Sequence, residues 1–183
     1  MNAMRKPVTT LIVAIIVFGA VAESSAQLLV MYETKADDFI RSILEHHVGI
    51  DGCPNEFDPR VALQGKDIRL ENYSYWRERD PLTPGGENHV QQWNLPGVTI
   101  TAFTFFGDHG PSTWLSKVEL SDASAELDGN LKVGDTIDRF AKLLELSASM
   151  KSAGRLVTSR ANVTFQVNDE GKVTRIVLEC VPD

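Results

Sequence analysis

The stretch that decides the fold class covers residues 161–181 and reads ANVTFQVNDEGKVTRIVLECV. Apolar and polar residues alternate over 163–167, and a period of two predicts a β-strand with one buried face. Residues 168–171 predict a turn with a left-handed glycine, and residues 173–181 predict the returning strand of a β-hairpin. Cys180 belongs to the apolar face of this second strand, so its side chain is predicted to point inward.

Two amphipathic helices are predicted N-terminal to this hairpin. The first covers residues 34–48, with Thr34 as the predicted N-cap and Gly49 as the stop, and the second begins after residues 134–136. Apolar residues recur at helical spacing on one face of each helix. They are Ala36, Phe39, Ile40, Ile43, Leu44, His47 and Val48 in the first, and Ile137, Phe140, Ala141 and Leu144 in the second.

Strands are predicted on both sides of the second helix. The segments 50–64 and 77–86, which contain prolines and glycines, are predicted as loops. Before that helix, the predicted strands cover 67–76, 98–106 and 114–120. After it, one strand is predicted to begin near Val157, and two more cover 163–167 and 173–181. This order predicts an α+β fold, in which an antiparallel sheet carries two helices packed on one face.

Two domain organisations fit this order of elements. Residues 27–183 form either a single α+β domain or a tandem of two helix-plus-three-strand units, about 27–122 and 123–183. The length of this part of the chain supports a well-buried core in both arrangements.

The overall composition is that of an ordinary globular protein, because 43% of the 183 residues are hydrophobic and 23% are charged. It excludes a long disordered tail, a collagen-like fibre, a polytopic membrane protein and a disulfide-dense miniprotein. The 18 basic and 25 acidic residues give a net charge of −7. A nucleic-acid-binding protein needs a basic face to displace counterions from phosphates, so no nucleic-acid partner is expected.

Residues 1–26 are predicted to be a secretion signal peptide. Arg5 and Lys6 form a basic start, and the apolar run over residues 11–22 is shorter than a membrane span of about 20 residues. Small residues allow cleavage after Ala22 or Ala26, and we prefer Ala26. The chain is therefore predicted to act in the periplasm or outside the cell, without a stable membrane anchor after cleavage.

The two cysteines, Cys53 and Cys180, both lie in the predicted mature part. An even number of cysteines in an oxidising compartment predicts one disulfide. A pair of unrelated buried thiols is the alternative, and a redox pair is disfavoured because the CxxC spacing is absent.

Catalytic and metal-binding motifs give no positive signal. The sequence has no GxSxG, SxxK or HExxH motif. His46 and His47 point about 100° apart around one helix, so they cannot ligate one metal from a single face, while His89 and His109 are predicted in loops. Residues 122–130 imitate a calcium loop but lack the Glu that closes one. We therefore expect no catalytic residue, no metal and no cofactor.

Aromatic residues are concentrated in the middle third of the chain, namely Tyr73, Tyr75, Trp76, Trp93, Phe103, Phe105 and Trp114. Tyr and Trp offer large contact areas at low entropic cost, so a strand that carries them into an exposed loop predicts a protein interface. The residues predicted to bind the partner are Tyr73, Tyr75, Trp76, Arg77, Arg79 and Trp93, with the loop 77–86 beside them. The alternative is that Tyr75 and Trp76 belong to the core.

The segment 131–140 (LKVGDTIDRF), the hairpin after it and the segment 171–176 (GKVTRI) resemble a recurrent exported module. They are similar to small periplasmic domains of the SmpA/OmlA type and to the secreted β-lactamase-inhibitor protein. The resemblance covers about the last fifty residues. It implies tandem helix-plus-sheet units, and for the inhibitor a concave sheet that binds an enzyme, but it supplies no functional residue.

The sequence therefore favours an exported, non-catalytic binding protein of the inhibitor or immunity type, whose partner is another exported protein. Two other functions stay open. One is a small secreted hydrolase with a site assembled from distant residues, and the other is a small-ligand carrier that uses the aromatic residues.

Overall fold

The computed structural model of the chain describes residues 35–79, 86–107, 110–123, 126–127 and 130–181. The predicted signal peptide, the predicted N-cap Thr34 and His109 lie outside these residues, as does most of the predicted loop 77–86. No helix within the described residues is long and apolar enough to cross a membrane.

Seven strands form one antiparallel sheet, and two short strands form a separate pair. The sheet contains β1 (Tyr73–Arg79), β2 (Glu87–Leu95), β3 (Val98–Gly107), β4 (Gly110–Leu120), β7 (Arg155–Val157), β8 (Ala161–Val167) and β9 (Val173–Cys180). Their order across the sheet is β1-β2-β3-β4-β9-β8-β7. The separate pair is β5 (Glu126–Leu127) and β6 (Leu131–Lys132). The predicted C-terminal hairpin is thereby confirmed as β8 and β9.

Two helices pack on the same face of this sheet, as predicted. Helix α1 covers residues 35–47, and it ends where the Gly49 N–H donates to the Leu44 carbonyl at 2.7 Å. Helix α3 (Ile137–Leu143) is capped by the Thr136 hydroxyl. The ring of Phe140 in α3 lies 6.4 Å from that of Phe39 in α1 and 5.2 Å from that of Phe165 in β8. Both helices therefore contribute to one apolar core with the sheet, which confirms the α+β class.

A β-bulge in β4 allows this strand to reach the core along most of its length. Thr101 pairs with Lys117 and Ala102 pairs with Leu115, so β4 contains one residue more than β3 at this point. The extra residue reverses the alternation, and Leu115, Val118 and Leu120 in β4 are all buried.

Several predicted boundaries were wrong. The strand predicted over 67–76 begins only at Tyr73, because a 3-10 turn (Leu70–Asn72) precedes it, and it continues to Arg79 into the predicted loop. Strand β2 was not predicted, because polar residues occur on both of its faces. The predicted loops and strand starts also missed α2 (Pro59–Ala62), α4 (Ala148–Ala153) and the first two residues of β7.

Cys53 and Cys180 form the predicted disulfide, with their Cα atoms 5.6 Å apart. The bond joins the loop after α1 to the end of β9, across 127 positions of sequence. Such a bond is typical of proteins that fold in an oxidising compartment.

Candidate functional site

The two faces of the sheet differ, because the helices of the described chain pack on only one of them. Cross-strand partners share a face, so the register assigns each side chain to the helix side or to the opposite side, which we call the open face. The open face of β1 to β4 and β9 carries Trp76, Glu78, Asn88, Val90, Gln92, Thr101, Phe103, Phe105, Trp114, Lys117, Glu119, Arg175 and Glu179.

One half of the open face is aromatic. The Trp114 ring lies 4.1 Å from that of Phe105 and 6.0 Å from that of Phe103, which it meets edge-to-face. Val90 pairs with Trp76 on one side and with Phe103 on the other, and only 1% of it is exposed. Trp76 itself is 39% exposed. These five side chains therefore form an apolar patch on a side of the sheet that no described helix covers.

The other half of the open face is charged. The Glu119 carboxylate lies 3.1 Å from the Arg175 guanidinium and 3.6 Å from the Lys117 ammonium. Only 18% of the Glu119 side chain is exposed. Two cations therefore neutralise this carboxylate beside the aromatic patch.

A depression of about 410 Å³ lies where the two halves meet. The residues that line it include Trp76, Phe103, Glu78 and Glu179. Thr101, which is only 6% exposed, also lines it. Among the described residues, the buried hydroxyl of Thr101 and the buried side-chain oxygen of Asn88 have no hydrogen-bond partner. Since buried polar groups are nearly always hydrogen-bonded, these two atoms are unusual.

The structure divides the residues predicted to bind a partner between the two sides of the sheet. Trp76 lies on the open face, whereas Tyr73, Tyr75, Arg77 and Arg79 lie on the helix side of β1, because neighbouring residues of a strand point in opposite directions. The sixth, Trp93, is 6% exposed, and its ring lies 6.3 Å from Phe57 in the core. Trp93 therefore belongs to the core, and its role in binding stays a prediction.

The helix side of β1, β2 and β3 carries a second group of ring side chains. The Tyr75 hydroxyl is hydrogen-bonded to Nδ1 of His89, and the His89 ring lies 4.4 Å from that of Phe106. His89 thus lies in β2 and not in a loop, which corrects its predicted position. Burial raises the pKa of Tyr73, and the nearby Tyr75 phenol adds to this rise.

The described residues contain no group of three or more His, Cys, Asp or Glu side chains arranged to hold a metal ion. The Nδ1 of His46 lies 2.9 Å from the Ser42 carbonyl oxygen, to which it is hydrogen-bonded within its own helix. Neither of these two observations identifies a catalytic site.

Three aromatic residues of the open face, Phe103, Phe105 and Trp114, were not among the residues predicted to bind a partner. The alternation in 98–106 already places Phe103 and Phe105 on the side opposite to the buried Ile100, so the signal for them was present. Trp114 joins them only through the register between β3 and β4, which the sequence does not reveal.

No family model matches this chain, and comparisons with curated proteins and with solved structures gave no significant match. The chemistry of the open face is therefore the basis for assigning a function.

Proposed function

We propose that this chain is an exported, non-catalytic binding protein that uses the open face to bind another exported protein, as inhibitors and immunity proteins do. The observation that carries the proposal is the aromatic patch on the face of the sheet that no described helix covers. Trp76, Phe103, Phe105 and Trp114 surround Val90 there. Contiguous apolar surface of this kind marks interaction sites in soluble proteins.

The composition of the face supports a protein partner. Interfaces combine aromatic anchors at their centre with a polar rim, and Trp is enriched among the residues that dominate binding energy. The aromatic patch supplies such anchors, and the cluster of Lys117, Glu119 and Arg175 supplies one side of a rim. A hydrogen-bonded sheet also holds these side chains in fixed positions before binding, which reduces the entropy lost on association.

The periplasm or the extracellular space is the proposed location. The predicted signal peptide over residues 1–26 and the disulfide between Cys53 and Cys180 both support export. The net charge of −7 favours a basic partner, because charge complementarity accelerates encounter.

Site-specific photo-crosslinking tests the proposal. The photoreactive residue p-benzoylphenylalanine is introduced in place of Phe105, on the open face, and in a second variant in place of Phe106. Phe106 is the matched control, because it is the same residue type, is 62% exposed and lies on the helix side. Irradiation of cells that export the protein should give a discrete adduct at position 105 and none of the same mass at position 106.

Mass spectrometry of the adduct then identifies the crosslinked protein. The proposal requires the purified partner to bind the unmodified chain and to protect the quenchable tryptophan fluorescence, which comes from Trp76 and Trp114 of the open face, from a soluble quencher. An adduct formed at position 106 but not at 105 would place the interface on the helix side and contradict the proposal.

A further inference from the structure

The outer edge of β1 can accept a further strand. β1 is the first strand in the order of the sheet, and among the described residues it pairs with β2 alone. Every second residue of an edge strand directs its backbone N–H and C=O away from the sheet, where they can pair with another chain. Six of the seven residues of β1 are also exposed.

β1 lacks three of the features that usually protect an edge strand. Natural edges are kept from pairing by shortness, by prolines or by bulges. The opposite edge of the sheet is β7, which has only three residues. β1 has seven residues and no proline, and its pairing with β2 contains no register shift. It therefore offers a long and regular edge.

Charged side chains are a further protection of edges, and β1 carries them at Arg77, Glu78 and Arg79. Such charges oppose an added strand that places like charges directly opposite them, because these cross-strand pairs are destabilising. They tolerate a strand that places polar or aromatic side chains there. The charges of β1 thus select which strand can be added.

We propose that this strand is β1 of a second copy, in an antiparallel dimer centred on Trp76. A twofold axis perpendicular to the sheet keeps both open faces on one side, so each residue must oppose one from the same face. Centring on Trp76 pairs all seven residues of β1. Centring on Arg77 would place the two Arg77 side chains directly opposite each other. Centring on Tyr75 would leave Glu78 and Arg79 beyond the end of the opposing strand.

On the helix side of this dimer, each arginine lies opposite a tyrosine. Arg77 faces Tyr75 of the second copy, and Arg79 faces Tyr73 of the second copy. Guanidinium groups stack favourably on aromatic rings, so these cross-strand pairs are attractive. The two Arg77 side chains are diagonal neighbours, but each already lies 3.7 Å from a Glu87 carboxylate, which offsets their repulsion.

On the open face, the twofold axis passes between the two Trp76 side chains. Directly opposed residues of antiparallel strands have Cα atoms about 4.5–5.5 Å apart, so the two indoles, each 39% exposed in the single chain, can pack on each other. Glu78 lies opposite Ser74 of the second copy, whose hydroxyl can donate to the carboxylate. The aromatic patches of both copies thereby become one continuous surface.

Sedimentation velocity of the full exported chain tests whether the dimer exists. Pairing of one edge strand gives a small interface, so we expect a dimer that forms at high concentration and dissociates on dilution. A monomer at every concentration up to the solubility limit would overturn the inference.

Charge substitutions at Ser74 locate the interface. Ser74→Lys places an ammonium opposite Glu78 of the second copy on both sides of the axis, and should tighten the dimer several-fold. Ser74→Glu places like charges there and should weaken it several-fold. Ser112 is the matched control, because it is an exposed serine of the open face but lies in β4. Equal effects of the same substitutions at Ser112 would show that net charge governs association, and the inference would be wrong.

Introduced cysteines test the register. Trp76→Cys chains should form an intermolecular disulfide on mild oxidation, since directly opposed Cα atoms lie within disulfide reach. Ser74→Cys and Glu78→Cys chains should crosslink when mixed, but each much less with itself, because identical residues then lie four positions apart, about 13 Å. Self-crosslinking of Ser74→Cys or Glu78→Cys as readily as of the mixture would contradict the register.

A strand of the exported partner protein is the competing occupant of this edge. If the chain stays monomeric, and the β1 amides become protected from hydrogen exchange only when the purified partner is added, the edge belongs to that partner and the inference is wrong. The dimer and the proposed function can fail separately, because the crosslinker at position 105 lies on the open face of β3, two strands away from the edge.

Discussion

Adjacent residues of one strand serve opposite sides of this protein. Tyr75 bonds to His89 on the helix side, whereas its neighbour Trp76 faces the depression on the open face. The same holds for Phe106 and Phe105, of which only the latter packs on Trp114. Single-residue substitutions can therefore separate the two surfaces.

Alanine substitutions of Trp76 and Trp93 should affect different properties, namely affinity for the partner and folding stability. Trp93→Ala removes a ring that is 6% exposed, and we expect it to lower the free energy of unfolding by about 3–5 kcal/mol. Trp76→Ala removes a ring that is 39% exposed, so it should cost less than about 2 kcal/mol and mainly reduce affinity for the partner. Denaturant unfolding and calorimetric binding measure the two effects.

Arg79→Ala is the control for this pair. Arg79 is exposed on the helix side of β1, so the open-face proposal expects no change in affinity. A large loss of affinity for Arg79→Ala, with Trp76→Ala without effect, would restore the interface predicted from the sequence.

Tyr73 should make folding stability depend on alkaline pH. Burial raises its pKa in the folded protein above the ordinary value of 10.0. The folded chain thus holds the phenolic proton more tightly than the unfolded chain, so this stabilisation is complete below about pH 10 and is lost as the pH rises through the folded-state pKa. The unfolding free energy of the unsubstituted protein minus that of Tyr73→Phe should be constant from pH 8 to about pH 10. It should then decrease as the pH rises towards the folded-state pKa. A constant difference would contradict the raised pKa.

At the scale of elements, the sequence predicted the helices and strands whose apolar residues recur at regular spacing on one buried face. Helix α1 and the hairpin β8–β9 have such patterns, and both were found. Strand β2 was missed because its helix side carries His89 and Gln91 as well as the buried Trp93, so polar residues interrupt the apolar face. The bulge in β4 also interrupts the alternation of buried and exposed side chains along this strand.

The candidate site was predicted only in part, for a related reason. Trp76 could be named from its own strand, but the depression joins β1, β2, β3, β4 and β9. Its lining residues Glu78 on β1 and Glu179 on β9 have three strands between them, so their common position depends on pairing between distant segments. Short-range patterns do not contain that information.

The disulfide is the covalent link between elements, and its loss should be measurable. It closes a loop across 127 positions, for which the chain-entropy model gives roughly 4–5 kcal/mol as an upper value. Cys180→Ala should therefore lower the free energy of unfolding by about 2–5 kcal/mol. Cys53→Ala should cost a similar amount, and the double variant no more than the larger of the two, because either substitution removes the whole cross-link.

Mass spectrometry without reduction provides the control for this prediction. The native protein should resist alkylation at Cys53 and Cys180 until it is reduced. Modification of both thiols in the unreduced protein would show that the bond does not form.

At the scale of the whole molecule, one core supports two different surfaces. Helices α1 and α3 cover one side of the sheet around Phe39, Phe140 and Phe165, and the other side presents the aromatic patch and its charged border. The helix side therefore stabilises the sheet, and the open face, on which no described helix packs, is the surface that we propose for binding.

The proposed export leads to a prediction about where the secreted chain begins. We expect the secreted protein to begin at Gln27, because Ser24-Ser25-Ala26 follows the apolar run of the predicted signal peptide. Intact-mass measurement of protein recovered from the exported fraction decides this. Retention of residues 1–26 in that protein would contradict the secretory interpretation, while cleavage after Ala22 would move only the boundary.

The pairing of β4 with β9 determines when folding can finish. β4 ends at Leu120, but its partner β9 begins only at Val173, and this pairing is what unites the halves β1–β4 and β7–β9. A ribosome must therefore add more than fifty further residues before Leu120 meets Ile176. Contacts between such distant segments form slowly. The export that we propose fits this delay, because a polypeptide whose fold is still incomplete can be threaded through a translocation channel.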